Sequence, residues 1–407
     1  MQGTVVKVVC VGGGPAGLCT ALLMKRRAPG LDVAVVERNA AGATHGWGVV
    51  FWDDLLDDLN ADDPAVSRAV RSAACLWEGQ QVRLPGNRSA HLGGYGYSIG
   101  RARLLQILTE RADDLGVDLR FESEADPAEL AAADLVVAAD GAGSGLREAR
   151  RDTFGTSIRT GLNRYVWLGT PKVFDAFTFA FEKTPAGWIW FHGYPSGDGV
   201  STCVVECPTA TWEGLGFDGR TPAESSALLG EIFADHLDGL PLLDRPEGAP
   251  APSAWQRFRE VTNATWTAGN VVLAGDSAHT THFSVGAGTR LAVQDSVELA
   301  ACTARYGNDV AAAASAYDAA RRAALQPRQV SARHSMEWFE QAGTVLDGPE
   351  GDDVVDLAYA LWARRGGYPQ WRYRLHRATQ HDGFRRLRSS VTSVRRTVRE
   401  RRRAQQH

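Results

Sequence analysis

The sequence predicts an α/β protein: a Rossmann-like parallel-sheet domain assembled from non-adjacent segments, an inserted antiparallel sheet domain, and C-terminal helices. Three observations carry this. A β-branched run near the start ends in glycines that open an apolar helical stretch. The middle of the chain changes to short aromatic and β-branched runs divided by Pro and Gly. The α/β pattern then returns with a strand that ends in Gly275-Asp276 and runs on into a helix.

Taken in order, Val5 to Val11 is the first strand, and Pro15-Ala16-Gly17-Leu18 opens a helix to about Arg27. Asp32 to Val36 is a second strand, closed by Glu37-Arg38, which completes a βαβ unit. Leu104, Leu105 and Leu108 give helical spacing from Arg101 to about Leu115, and Leu119–Glu122 and Asp134–Ala139 read as strands. Tyr165–Gly169, Phe177–Glu182, Trp188–Gly193 and Ser201–Glu206 are the central runs; Phe177, Phe179 and Phe181 share one face at period two, as an antiparallel sheet requires. A helical stretch near Ala223–Leu237 and a Pro-rich segment at Pro241–Pro252 follow. Asn270–Ala274 is a strand, and Gly286–Thr303 and Ala311–Ala324 are helical. The expected domains are 1–75 with 96–160 and 260–345 for the nucleotide fold, 76–95 with 161–259 for the inserted sheet, and 346–407 for an Arg-rich helical end.

Composition narrows the class. A chain of 407 residues, 44% hydrophobic and 23% charged, is globular and long enough for a large core, which excludes disordered and disulfide-stapled classes. A net charge of −4 gives no nucleic-acid signature. The six cysteines show no C-x-x-C pair and no metal-site spacing, so reduced thiols, no metal and a cytoplasmic setting are expected. No signal peptide and no apolar stretch of membrane-spanning length is present, so no membrane association is expected. Charge is uneven: from Arg364 to His407 there are fourteen Arg and no Lys against Asp382 and Glu400. Such a tail either binds phosphates or an acidic partner, or rests on its own acidic body.

Gly12-Gly13-Gly14-Pro15-Ala16-Gly17 fits G-x-G-x-x-G after a strand and at the mouth of a helix. Gly12 allows the tight turn, Gly14 lets backbone approach a pyrophosphate, and Gly17 packs helix against strand. The helix N-terminus, with Pro15 and Ala16, favours an anion by roughly 0.3–1 kcal/mol. Glu37, at the end of the second strand with Arg38 beside it, is placed to accept ribose hydroxyls, which points to FAD or NAD rather than NADP. Two further motifs discriminate. One strand ends in Asp140-Gly141 with Ser144 and Arg147 beyond it; the other ends in Gly275-Asp276, followed by His279 and by Gly286-Ala287-Gly288 at a helix start. Asp276 can take a ribityl hydroxyl, and the Gly286–Gly288 turn can present N–H groups to a flavin carbonyl.

Together these motifs resemble the single-component (group A) flavoprotein aromatic hydroxylases, the p-hydroxybenzoate hydroxylase fold, over Val5 to about Leu299. The resemblance implies a glutathione-reductase-like FAD domain and carries an FAD contact to Arg101, which starts Arg101-Ala-Arg-Leu104. Gly46-Trp47-Gly48, Asn163–Thr170, Phe174–Glu182, Val204-Val205-Glu206 and His279–Ser284 are similar to one subgroup, which holds salicylyl-CoA 5-hydroxylases, anthraniloyl-CoA monooxygenases and the violacein-pathway tryptophan-derivative hydroxylase. Phe283 stands where the wider family has Pro, and Arg290 where it has Asn.

What this implies is an aromatic hydroxylase with FAD, NADH or NADPH as transient reductant, and O2, working through a flavin C4a-hydroperoxide. The implied substrate is an electron-rich hydroxy- or aminobenzoyl thioester, of CoA or of a carrier protein; a free tryptophan- or indole-derived metabolite, or a flavin reductase of the same fold, is the alternative. By the same resemblance Trp47 and Gly48 are flavin-proximal. Ring contacts are expected from Trp47, Trp190, His192, Tyr194 and Phe283, and the catalytic candidates are His192, His282 and Phe283. A monomer or homodimer is expected.

Overall fold

The computed structural model describes residues 5–44, 46–246, 249, 251–364, 370–378, 380, 393–394 and 396–403. A six-stranded sheet has the order Thr267–Ala268, Val271–Leu273, Leu135–Ala138, Lys7–Val11, Asp32–Val36, Asp118–Arg120. Every neighbouring pair but the first is parallel. Its inner strands are covered on both faces, which is why they read as unbroken Val, Leu and Ala runs. The helices Pro15–Arg27 and Gly288–Tyr306 pack against each other over this sheet. Three stretches remote in sequence therefore deliver their turns to one edge.

A seven-stranded sheet has the order Gln256–Thr262, Ser157–Thr170, Val200–Cys207, Gly187–Gly197, Phe177–Thr184, Gln80–Leu84, Arg88–His91. Its neighbours are antiparallel except Phe177–Thr184 beside Gln80–Leu84. Period-two alternation sends Phe177, Phe179, Phe181 and Trp190 to one face, against Phe339 and Leu361 of later helices. The other face buries Val166, Leu168, Phe191 and Val205 against Leu229 and Phe233. A small antiparallel sheet, Gly48–Phe51, Tyr95–Gly100 and Cys75–Glu78, lies between the two.

The structure departs from the expected boundaries at three strands. Ser157–Thr170 and Gln256–Thr262 each run through an expected domain edge, and Cys75–Glu78 pairs with Tyr95–Gly100 rather than joining the large sheet. Hydrogen-bond ladders ignore the composition shifts by which such edges are drawn. The helix expected at Ala311–Ala324 extends over Val310–Glu340, through Pro327, because Ala332, Met336 and Phe339 are buried along it. All six cysteines are unpaired. Among the described residues no helix is long and apolar enough to cross a membrane.

Candidate active site

A cavity of about 430 Å3 opens where the C-terminal ends of the parallel strands face the seven-stranded sheet. Gly14, Pro15, Ala16, Asp276 and Gly288 line one side; Tyr165, His192, Tyr194 and Phe283 line the other, with Arg101 between. Crevices at the carboxyl ends of parallel strands are where such sheets take ligands, because loops there converge without blocking one another.

The first wall is built by backbone. A Cβ on Gly17 would lie 1.9 Å from the Gly12 carbonyl oxygen, and one on Gly12 would lie 2.3 Å from that of Ala139, with φ at +113°. These two glycines are demanded by packing and do not line the cavity. Gly14 and Gly288 differ: an added Cβ meets nothing within 4 Å, and both line the cavity, so each is a cradle position. Gly286, at φ +60°, turns the chain into the following helix. Glu37 accepts from Gly13 N at 2.7 Å and from Asn39 N at 2.8 Å, which fixes it beneath the glycine turn. Arg38 is exposed at the strand end.

The three motifs are tied to one another. Asp140 accepts from Gly145 N at 2.9 Å, while its other oxygen is buried without a partner among the described residues. Arg147, almost fully buried, donates to Ala142 O at 2.6 Å and Ser277 O at 3.0 Å, clamping the Asp-Gly turn to the Gly-Asp turn. Asp295 accepts from Gly275 N at 2.9 Å, pairs with His279 at 2.7 Å and with Arg321 at 2.8 Å. Burial alone would raise the Asp295 carboxyl, but His279 and Arg321 hold it below the usual range. His279 is thus a structural residue, as its place in the turn implies.

Asp276 is exposed to the cavity; desolvation by the surrounding walls raises its carboxyl, opposed by His279 and Arg101. Burial lowers the Arg101 guanidinium, which Asp276 and Tyr194 partly restore, and its Nε has no hydrogen-bond partner among the described residues. A wall with two open glycines, a helix N-terminus, the cavity-lining Asp276 and an Arg101 Nε without a partner among the described residues fits a dinucleotide with an extended polar chain.

The second wall is aromatic. Phe283 packs against Tyr165 at 4.8 Å between ring centroids and edge-on to His192 at 5.5 Å. Tyr194 stacks on Phe177 and spends its hydroxyl on Gly48 O at 2.9 Å. His192 is 2% exposed, and neither ring nitrogen has a hydrogen-bond partner among the described residues. Burial pushes its pKa down to about 3, so it is a neutral imidazole at physiological pH.

Three of the expected ring-contact and catalytic residues lie elsewhere. Trp47 does not line the cavity; its ring covers Gly169, and its carbonyl accepts from Arg101 N at 2.9 Å. Trp190 is fully buried in the core against Phe181 and Phe339, one residue pair beyond His192 along its strand. His282 is buried behind Phe283, with Nδ1 2.7 Å from Ser284 Oγ. The residue that sequence reasoning missed is Glu206, 1% exposed, which sits within 3.5 Å of His192 and 3.8 Å of His282. Its signal was an acid inside the apolar run Ser201–Cys207.

The basic tail is also placed. Arg396, Arg399 and Arg403 pair with Glu78, Asp53 and Asp57, and Arg71 pairs with Glu400. The described part of the tail therefore rests on the protein's own acids, and its arginines near 380–392 lie outside the described residues.

A family profile for the FAD binding domain matches residues 90–330. The chain belongs to the FAD-dependent aromatic hydroxylases. It is 38% identical over 348 residues to a salicyloyl-CoA 5-hydroxylase from Streptomyces sp., covering 83% of this chain and 66% of that longer protein. It is 35% identical to a 3-hydroxy-4-methyl-anthranilyl-[aryl-carrier protein] 5-monooxygenase from Streptosporangium sibiricum, over 90% of this chain and 96% of that one. A solved 2-methyl-3-hydroxypyridine-5-carboxylic acid oxygenase superposes with a TM-score of 0.64 at 20% identity, over 85% of this chain and 94% of that one, which shows the same fold. In this aromatic monooxygenase the residues of the first wall that fit an FAD are Gly14, Arg101, Asp276 and Gly288, all of which line the cavity.

Proposed function

We propose that this monooxygenase hydroxylates an electron-rich hydroxy- or aminobenzoyl ring presented as a thioester of CoA or of a carrier protein. The observation that carries the reading is the buried, unpartnered His192 on an aromatic wall opposite the flavin wall. FAD bound there supplies activated oxygen from O2, with two electrons from NADH or NADPH. The sum is ArH + O2 + NAD(P)H + H+ giving ArOH + NAD(P)+ + H2O. Phe283, Tyr165 and Tyr194 exclude water and hold the ring flat, and neutral His192 accepts the proton of the ring hydroxyl or amino group, which raises the ring's electron density.

The substrates named for the two relatives support the thioester handle. Exposed Arg257 and Arg259, on the edge strand at the cavity rim, suit the phosphates that a CoA or phosphopantetheine arm and the nicotinamide donor both carry. The test is NAD(P)H oxidation by FAD-loaded protein, with product mass followed, against salicyloyl-CoA, anthraniloyl-CoA, their carrier thioesters and the free acids. Hydroxylation of thioesters only is expected. Equal turnover of the free acids would remove the handle from the reading.

A further inference from the structure

Behind the aromatic wall lies a cluster that the flavin site does not use. Glu206 is buried at the pairing position of Trp190, between two strands of the large sheet. Its Oε1 accepts from Asn163 Nδ2 at 2.9 Å, and its Oε2 accepts from Trp190 Nε1 at 3.1 Å. The remaining approaches are taken by imidazoles: His192 Nε2 lies 3.5 Å from Oε2, and His282 Nε2 lies 3.8 Å from Oε1. Among the described residues no Lys or Arg pairs with Glu206. The buried Arg364 is engaged with Ser335 Oγ at 2.9 Å and Ser284 O at 2.9 Å. Phe179 and Phe339 close the cluster from the sides.

A lone carboxylate in such surroundings is costly unless a proton or a cation accompanies it. Here the accompaniment is two bases. Burial drives the Glu206 carboxyl up, and drives His192 and His282 down to about 3 and about 4. All three groups are pushed toward the same outcome, a cluster of zero net charge that holds a single proton. A glutamine would satisfy Asn163 or Trp190 but not both, since each donor points at a different oxygen and an amide offers only one acceptor.

We propose that Glu206 is the positioning residue of the ring site: with His192 and His282 it holds one shared proton behind the cavity wall, and so presents His192 as the group that takes and returns the proton of the substrate's ring heteroatom. This deepens the proposed function and rests on its placing of the ring beside His192. In the step, the substrate O–H or N–H bond breaks and an N–H bond forms on the His192 nitrogen turned from Glu206. As positive charge forms on His192, the shared proton passes from Glu206 to His282, so that a carboxylate faces His192 Nε2 across 3.5 Å; it returns when His192 gives its proton back. When aromaticity returns after oxygen insertion, the ring carbon loses its proton to the water being formed and the heteroatom regains one from His192. No proton is gained or lost by the cluster over the cycle.

The test uses the full, FAD-loaded chain with Glu206→Gln and Glu206→Asp, and has a readout that needs no substrate. Protein labelled with 15N-histidine reports ring protonation and tautomer, with His192→Gln and His282→Gln giving the assignments. Ring-nitrogen signals of both histidines should move in E206Q and return toward wild type in E206D; signals that stay in place in E206Q overturn the proposal. With salicyloyl-CoA as probe, E206Q should lower kcat at least about 30-fold with KM within about 3-fold and FAD content unchanged, and E206D should recover most of that loss. A kcat within about 3-fold of wild type overturns it as well. Should E206Q not fold, His192→Gln decides through the His282 signals, which must shift if a proton is shared and stay if it is not. Failure of the wild type to hydroxylate salicyloyl-CoA would remove the substrate reading, while the 15N result would still judge Glu206.

Discussion

One wall of the cavity is made of turns and the other of side chains, and the two store their function differently. On the flavin side, Gly12 and Gly17 are fixed by clashes with backbone oxygens, and Arg147 and Asp295 lace three remote turns together. On the ring side, position along a strand decides everything: His192 and Tyr194 reach the cavity, while Trp190, on the same face, is swallowed by the core. The flavin wall is over-determined and tolerates little, whereas the ring wall keeps its buried charges poised. This difference sets the size of the effects expected from mutation.

The largest effect should come from Gly17→Ala. The new Cβ would stand 1.9 Å from a backbone oxygen that cannot move without the strand. A cost of about 3 kcal/mol or more is expected, with loss of FAD, read by urea unfolding and by the flavin absorbance of purified protein. Gly14→Ala is its counterpart. The added methyl meets no protein atom within 4 Å, so apo stability should change by no more than about 0.5 kcal/mol. FAD affinity should fall about tenfold, because the methyl projects into the cradle. Equal loss of stability in both variants would mean that the whole turn is one packing unit and that no cradle position exists.

The flavin wall was legible in the sequence because its residues act through backbone geometry, which a local motif encodes. The run Gly12–Gly17, the acid after the second strand, and the two Asp-bearing turns all stand where their spacing places them. The ring wall was only half legible. Phe177, Phe179 and Phe181 declared a sheet face, and His192, Tyr194 and Phe283 do line the cavity. Trp47 and Trp190 were expected at the ring and pack elsewhere, since which of several residues on one face meets the cavity depends on how far the sheet slides over its neighbours. Glu206 passed as part of a strand because its partners, Asn163 and His282, lie on segments far away in sequence. The short strands Gly48–Phe51 and Tyr95–Gly100 were missed for want of a period long enough to read.

A smaller, graded effect should appear in the pH dependence of stability, and it separates the walls again. His192 and His282 have folded pKa values near 3 and 4, below the usual 6.5, so the unfolded chain binds their protons first and stability falls as pH drops below about 6.5. Glu206 works the other way, since its raised pKa keeps a proton on the folded protein that the unfolded chain has released. Near pH 5 the two histidines therefore outweigh the one carboxyl, and the net slope keeps their sign. Urea midpoints between pH 6.5 and 4.5 should show this slope. Glu206→Gln should steepen it, and His282→Asn should flatten it. A slope that ignores both substitutions would place the acid sensitivity outside the cluster of His192, His282 and Glu206.

The smallest effect concerns the tail, which belongs to neither wall. Arg403 reaches Asp57 and Asp53, and Asp53 is also held by Tyr95 and Arg399. Burial would raise the Asp53 carboxyl, but Tyr95, Arg403 and Arg399 together keep it below the usual range. Losing Arg403 alone leaves Asp53 with Tyr95, Tyr97 and Arg399, so Arg403→Ala should cost only about 1 kcal/mol, less at high salt because part of the pairing is exposed to solvent. The KM for salicyloyl-CoA should stay within about 2-fold, because these arginines are spent on the protein's own acids and the cavity rim carries Arg257 and Arg259 instead. If Arg403→Ala instead raised that KM about tenfold with stability unchanged, the tail would be a phosphate handle that merely parks on Asp53 and Asp57 between substrates. The acidic helix Asp53–Asp62 would then act as a competitor for the CoA phosphates, and neutralising Asp57 should tighten thioester binding by a similar factor.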